Sequence, residues 1–430
     1  MVRLLLITHS YSPESTAPQR RWSSFIQHFR GKEWNVSVIA PQPDDRHVPR
    51  NKQSQRSAVS VKAKLSFTAE RGAHGEQILR VPLLALSESR VGRFAGNVLS
   101  AGLMIPRAAL NAALHAEKPD VVIVTVPALP SLVTGYLISV ALHRPLIVDM
   151  RDAWPDLARE AQLKQEGLVR LLEFVVHSIQ SRAAAIVTVT EGFRDILVHR
   201  GMKSVRHIPN GISETRLREL TSVERASYGA EPLERPLHVL YMGNHGESQA
   251  LELIIDAAKL AGPAVSLRFV GSGTQKDALT EYARGLGVDA EFLPVVFGDE
   301  AAAQYEWADT CVVSLRDDWE SFKWTIPSKT FELLATGRHI TGVVQGEAAL
   351  LLAKNVNATV VPADPAAVAS LWSELRANPA SMNTASGDRF GALQSITFES
   401  VAQEYVDVVE HVVRTSRAGR TTILNSKDRS

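Results

Sequence analysis

Continuous apolar runs and stretches of helical spacing alternate along the whole chain of 430 residues. The first run, residues 3–8, ends in polar residues, and residues 17–29 follow with Trp22, Phe25, Ile26 and Phe29 on one helical face. Residues 35–40, 120–126, 145–150 and 185–190 repeat the strand-like pattern, with helical stretches at 130–142 and 168–182. Unbroken Val/Ile/Leu runs mark strands covered on both faces, hence a parallel sheet. Their alternation with helices predicts a doubly wound α/β architecture.

The pattern then restarts. Residues 213–236 are charged, carry Pro232 and Pro236 and lack a strand signal, so they read as an interdomain linker. Strands follow at 237–242, 265–270, 290–296, 308–315 and 339–344, with helices at 249–261 and 275–285. The expected organisation is α/β with two Rossmann-like domains facing across a cleft, 1–212 and 237–397. A helix at 398–413 returns to the first domain, and a polar, disordered tail occupies 414–430. Residues 41–75, polar and basic without periodicity, read as a long mobile loop.

Composition narrows the classes. At 45% hydrophobic and 22% charged residues the chain is an ordinary globular protein, and a single cysteine excludes a disulfide scaffold. Cys311, inside an apolar run, reads as a reduced core thiol. Net charge is +1, so a uniformly basic nucleic-acid binder is not indicated. The charge is divided unevenly: residues 1–210 hold 27 Lys+Arg against 17 Asp+Glu, leaving 20 against 29 for the rest of the totals of 47 and 46. A basic first half could face phosphates or an anionic membrane surface, or reflect surface composition alone. No signal segment or membrane span is visible, so cytoplasmic residence is expected.

In open α/β sheets, ligands sit beyond the carboxyl ends of the strands, so chemistry belongs in the turns there. Four turns stand out. After the first strand, Tyr11, Pro13, Ser15, Thr16 and Ala17 lead into a helix N-terminus with Arg20 and Arg21 close behind, an anion-binding arrangement or a plain connecting loop. After the run 145–150 come Arg151, Asp152 and Trp154, a group at home in a cleft, or a surface ion pair beside a packed Trp. In the second domain Gly243-Asn244-His245-Gly246 and Gly271-Ser272-Gly273 each follow a strand, where glycine lets a phosphate approach the backbone; Lys276 stands where a dinucleotide fingerprint would have its third glycine. Finally Pro327-Ser328-Lys329 opens a helix with Glu332 one turn on and Gly337 as its stop, and Ser328 reads as N-cap. A lysine in the first turn opposes the helix dipole unless an anion sits there. A diphosphate would offset it, and Glu332 could accept from ribose hydroxyls. The plainer alternative is a solvated charge pair.

No phosphate-binding loop ending Gly-Lys-Ser/Thr, no His-Glu-x-x-His, no Gly-x-Ser-x-Gly and no Asp-x-Asp occurs. Leaving-group charge would fall to Lys, Arg and helix dipoles, with no metal or other cofactor expected.

These turns, in this order, resemble glycosyltransferase family 4 within the GT-B fold, and its bacterial polysaccharide-assembly members labelled fucosamine or N-acetylglucosamine transferases. The similarity runs over residues 2–412 and is carried by Arg151-Asp152-Ala153-Trp154-Pro155 and by Pro327-Ser328-Lys329 with Glu332, supported by Ile208-Pro209-Asn210-Gly211-Ile212 and the glycine turns. The resemblance implies metal-independent, retaining transfer of a sugar from a nucleoside diphosphate, UDP being the expected one, to a glycan or lipid-linked acceptor. It places the diphosphate on Lys329 and the glycine turns, helped by Arg316, and the ribose on Glu332. Asp152 would sit near the reacting sugar, with the loop 11–17 closing over it. Two positions depart from the family: Trp324 stands where the first glutamate of Glu-x7-Glu is usual, and Ser15-Thr16-Ala17 replaces a glycine pair. A nucleotide-sugar 2-epimerase or a non-catalytic nucleotide-sugar binder of the same fold are the alternatives. Residues 90–107, with Arg90, Arg93 and Arg107 among apolar neighbours, could dock on the inner membrane surface or pack as an ordinary helix.

Overall fold

The computed structural model describes residues 1–14, 16–44, 48, 66–84, 90–114, 118–126, 129–151, 166–224, 227–383 and 389–427. The chain forms two compact units, one of residues 1–213 with 398–430 and the other of residues 214–397.

In the first unit β1 (Arg3–Ile7), α1 (Ala17–Gly31), β2 (Asn35–Pro41), β3 (Thr68–Arg71), β4 (Gln77–Val81), α2 (Arg90–Leu114), β5 (Val121–Val126), α3 (Leu129–Leu142), β6 (Leu146–Met150), α4 (Glu166–Gln180), β7 (Ala185–Thr188), α5 (Glu191–His199) and β8 (Val205–His207) follow one another. The sheet runs β3-β4-β2-β1-β5-β6-β7-β8, parallel except for β3, which pairs antiparallel with β4. Residues 68–71, expected in a mobile loop, are therefore a strand. Largely exposed and polar, they give no apolar run to read, and a single edge pairing orders them.

The second unit contains α6 (Glu214–Thr221), β9 (Leu237–Asn244), α7 (Leu251–Ala261), β10 (Val265–Ser272), α8 (Lys276–Leu286), β11 (Ala290–Leu293), α9 (Asp299–Trp307), β12 (Thr310–Ser314), α10 (Lys329–Thr336), β13 (His339–Val343), α11 (Gly346–Ala353), β14 (Ala358–Val360), α12 (Pro365–Ala377) and α13 (Arg389–Leu393). Its sheet is parallel throughout, in the order β11-β10-β9-β12-β13-β14. The stretch 213–236 is not a loose connection: Leu217 and Leu220 of α6 are buried, and Tyr228 and Arg235 both donate to Asp309, Tyr228 at 2.7 Å. Its charges concealed partners that only the fold supplies.

The chain returns to the first unit as α14 (Phe398–Lys427). The polar tail expected beyond residue 413 continues this helix; it contains no proline to stop it. On one face of the first sheet, Val121 and Ile123 join Trp22, Phe25 and Phe29 of α1 and Tyr405 and Val409 of α14 in one core, with Phe25 and Tyr405 rings 5.1 Å apart. Side chains alternate along a strand, so the next residue of β5 faces the other way. There a Cβ on Gly135 of α3 would collide with Val124, which shows how closely that helix lies on the sheet. In the second unit Cys311 is a buried thiol, pushed by burial up to about 12.

Candidate functional site

In the second sheet strand order reverses at β9, which lies between β10 and β12, so the turns after β9 and β12 meet at the switch point where such sheets bind ligands. The structure gives those turns little but backbone. Strands β9 and β10 stay paired into the glycines, Gly243 opposite Gly271 and Asn244 opposite Ser272, so these positions are strand ends rather than free turns. Their φ angles, 153° and 143°, are ones that L residues rarely adopt. A Cβ on Gly271 would strike the Gly243 carbonyl, and one on Gly273 would strike the backbone of His245. The His245 amide donates to the Ser272 carbonyl at 2.9 Å, and the Gln275 amide to the His245 carbonyl at 2.9 Å. Lys276 Nζ donates to the Gly271 carbonyl at 2.9 Å and also to that of Leu293, so the residue that spoiled the dinucleotide fingerprint holds the second glycine turn in place.

Lys329, the first residue of α10, reaches into this patch. Its Nζ donates to the Met242 carbonyl, lies 4.6 Å from the centre of the Tyr241 ring, and occupies the place that a Cβ on Gly243 would take. The Tyr241 hydroxyl donates to the Asn244 carbonyl at 2.7 Å. Ser328 is helical itself and its hydroxyl makes no capping bond, so the expected side-chain cap is absent; the Pro327 carbonyl accepts from the Thr330 amide at 2.9 Å instead.

His245 is fully buried behind the glycines, its ring about 6 Å from those of Phe269 and Phe292. Neither ring nitrogen completes a hydrogen bond, although one faces the Val270 carbonyl. Burial first, then Lys276 and Lys329, push its pKa down to about 4, so the ring is neutral at ordinary pH. It can serve as a flat wall beneath the turn rather than as a cation.

Glu332 lies one turn into α10, mostly buried, with Arg216 of α6 at 3.6 Å. Arg216 also binds Glu219 at 2.9 Å. Burial works to depress the Arg216 guanidinium, and Glu332 and Glu219 outweigh it, so its pKa is raised. Sequence reading missed Arg216 because it lies in the charged stretch taken for a linker; its spacing to Glu219 was the available signal. Arg316, after β12, is held by Asp318 through two bonds of 2.8 and 2.7 Å, with Glu247 at 3.9 Å, so it does not stand alone as a leaving-group cation. Its amide donates to the Ser248 carbonyl at 3.0 Å, and Ser314 Oγ to that of Gln249 at 2.7 Å, which ties the turns after β9 and β12 together. Trp324, half-buried, ends the short 3-10 turn Glu320–Trp324 that precedes α10.

The first unit treats its strand ends differently. The Tyr11 side chain is buried and its hydroxyl donates to Glu76 Oε1 at 2.7 Å, with burial and Glu76 raising its pKa. Ser10 donates to Glu14 and lies 2.6 Å from the Thr16 hydroxyl, which caps α1 by accepting from the Gln19 amide at 3.4 Å. The Ser12 carbonyl, next to Pro13, accepts from Arg80. Tyr11 thus points into its own unit. Arg21 is fully buried; it donates to the carbonyls of Pro209 and Ile208, the latter at 3.0 Å, and lies 3.6 Å from the equally buried Asp149 of β6. Of the other expected residues, Arg151 is half-buried, Ala17 begins α1, and Ser15, Asp152 and Trp154 lie outside the described residues.

Known proteins agree with this architecture. Residues 16–211 match the family described as Glycosyl transferase 4-like domain. No curated protein sequence matches the chain. Among solved structures, it is similar to sucrose-phosphate synthase from Thermosynechococcus elongatus at 16% identity and a TM-score of 0.68, covering 96% of this chain and all of that one. The Anabaena protein HepE, in complex with UDP and glucose, superposes with a TM-score of 0.65 at 13% identity over 95% of this chain and all of its own. A Listeria monocytogenes protein assigned as a UDP-N-acetylglucosamine 2-epimerase superposes with 0.53 at 10%, over 95% of this chain and 96% of its own. At these identities the likeness is one of fold. The chain has the glycosyltransferase-type GT-B fold, with two parallel-sheet, Rossmann-like domains.

Proposed function

We propose that the protein is a retaining, metal-independent glycosyltransferase that moves a sugar from a UDP-linked donor to a glycan or lipid-linked acceptor in the assembly of a cell-surface polysaccharide. The observation that carries this reading is the Lys329 amine at the paired glycine ends of β9 and β10, where glycine backbone and a cation converge at a helix N-terminus. A diphosphate there would take over the hydrogen bond that Lys329 now gives to Met242, and gain the favourable end of the α10 dipole. Glu332, steadied by Arg216, would accept from the ribose hydroxyls. Arg316, shared with Asp318, would act on the diphosphate only by trading that partner. In the transfer, the bond from the sugar's anomeric carbon to the departing phosphate oxygen breaks while the acceptor oxygen bonds the same carbon on the same face. The acceptor proton passes to the leaving diphosphate, whose charge Lys329 stabilises. Asp152 is assigned a place near the reacting sugar through its motif alone. The likeness to HepE with UDP and glucose supports the choice of base.

A screen of UDP-, GDP- and ADP-sugars by thermal shift tests the reading, because a ligand of the folded state alone raises its melting temperature. UDP-sugars should give the largest rise. Glu332→Ala should weaken nucleotide affinity by about 1 to 3 kcal/mol; equal affinity would remove the ribose role. The epimerase-like neighbour favours a second reading, epimerisation of free donor. Conversion of donor with no acceptor present would establish it in place of transfer. Donor that binds yet loses its sugar to no acceptor would mark a binding protein.

A further inference from the structure

The loop after β1 is fastened from the edge of its sheet. Strand order in the first sheet reverses at β1, which lies between β2 and β5, so this loop occupies the unit's own switch point, the place where open α/β sheets meet ligands. Its ties come from β4 and from the turn between β3 and β4, although β2 separates β4 from β1.

Glu76, in that turn, is buried. One of its oxygens accepts from the Tyr11 hydroxyl at 2.7 Å and the other from the His74 amide at 2.9 Å. The turn is shaped to admit it, since a Cβ on Gly72 would strike the carboxylate. Helix α1 holds the same turn: Ser23 Oγ lies 3.2 Å from His74 Nε2, and Arg30 Nε donates to the His74 carbonyl at 3.3 Å. Arg80 of β4 is fully buried, and its guanidinium spans three segments. It donates to Glu70 of β3 at 2.8 Å, to the Pro41 carbonyl at the end of β2 at 3.1 Å, and to the Ser12 carbonyl in the loop. After β2, the Asp44 amide donates to Glu14 at 2.7 Å, and Glu14 also accepts from Ser10.

Burying a carboxylate and a guanidinium is costly unless both are well bonded. An edge hairpin needs neither for its own pairing, which runs backbone to backbone, and here both reach across to the loop. We propose that Glu76 and Arg80 are positioning residues, which hold the loop after β1 as a fixed wall of the first unit's ligand site in place of a closing flap. Closure over residues 11–17 would break the bonds at Tyr11, Ser12 and Glu14. The inference rests on the proposed transfer, in which this loop lies against the reacting groups. A wall displaced by about 1 Å is enough to cost about 100-fold in rate, because reacting groups must meet in near-attack geometry.

Two measurements on the full chain test it: UDP release from UDP-glucose and from UDP-N-acetylglucosamine, and amide exchange followed by mass spectrometry. Tyr11→Phe removes one hydroxyl, and Arg80→Lys keeps the charge but loses the planar fork that spans three segments. Each should lower kcat by about ten- to a hundredfold with KM for the donor within about twofold of the parent protein, because the loop and not donor binding is disturbed. Exchange should quicken over residues 8–14 and stay slow in β5 and β6. Glu76→Ala should do the same, and Glu76→Gln, whose amide still bridges Tyr11 and His74, should recover most of the loss. Turnover within about twofold of the parent in both Tyr11→Phe and Arg80→Lys overturns the proposal. So does Glu76→Gln no better than Glu76→Ala, or a loss of turnover that tracks quickened exchange throughout β1, β5 and β6, the mark of a merely structural role. A parent protein that releases no UDP fails the transfer reading and takes the inference with it, whereas an active parent matched by its variants overturns the inference alone.

Discussion

The two units end their strands in opposite ways. In the first, the large or charged residues that follow β1, in the turn and in α1, have partners within the unit: Tyr11 has Glu76, and Arg21 has Asp149 and the carbonyls of Ile208 and Pro209. In the second, the corresponding positions are stripped to glycine, with Lys329 donating to the Met242 carbonyl and Lys276 to that of Gly271. Charge that already has a carboxylate partner builds a scaffold. A lysine amine lying over glycine backbone at a helix start is placed where an anion could meet both. The contrast separates Arg21 from Lys329 although both are basic residues near the start of a helix.

The contrast breaks most readily at Arg21. Arg21→Met leaves Asp149 buried without its cation, and neither Asp149 oxygen accepts a hydrogen bond to compensate. The first unit should lose about 3 to 5 kcal/mol in urea unfolding, while the added substitution Asp149→Leu recovers part of it. Tyr405 lies in the same buried group, its pKa raised by burial and then by Asp149, so the loss should spread to the packing of α14 on α1. A loss below about 1 kcal/mol would show that the pair is not structural, and Arg21 would return as a ligand residue.

The mirror experiment is Lys329→Ala. A preorganised charge at a leaving group is worth about 3 to 4 kcal/mol, so turnover should fall about 100- to 1000-fold while stability changes little. A fall under about threefold would sink the distinction from the other side, making Lys329 as structural as Arg21.

Much of this was legible in the sequence, for local reasons. Continuous apolar runs gave the parallel strands, because burial on both faces leaves no room for polar alternation. Lys329, Glu332 and the glycines could be found because a helix start and positive-φ positions leave short-range marks. What escaped was everything set by long-range pairing. Glu76 satisfies Tyr11 from 65 residues away, and β3 exists only because β4 accepts it at the sheet edge. Arg216 sat in a stretch whose charges gave no hint that burial in α6 would aim one of them at Glu332. The expected cap at Ser328 failed because the chain enters α10 already helical there, and a capping residue needs extended φ and ψ to bring its hydroxyl to the first amides.

His245 sharpens the contrast further, because it is the one titratable side chain sealed under the bare turn without a completed hydrogen bond. Its folded pKa, about 4, lies below the ordinary 6.5. As pH falls from about 6.5 to about 4 the unfolded chain takes up a proton that the folded one refuses, so stability is complete above that window and lost across it, by at most about 3 kcal/mol for this ring. His339, also depressed to about 4 by burial, adds to the same slope but has hydroxyl partners in Thr310 at 2.8 Å and Thr359 at 3.1 Å. Accordingly His245→Gln should flatten part of the acid-induced loss in the second unit's melting temperature, and the remaining slope is shared by His339 and by His238, whose pKa burial and then Arg235 also lower. Bound UDP should move the His245 titration upward, since the diphosphate charge offsets Lys276 and Lys329, the two cations that help to hold it down. An NMR titration of the ring near 6.5 without nucleotide, unmoved by UDP, would mean that water and not protein lies behind the glycines, and the second unit's strand ends would then be an ordinary solvated surface.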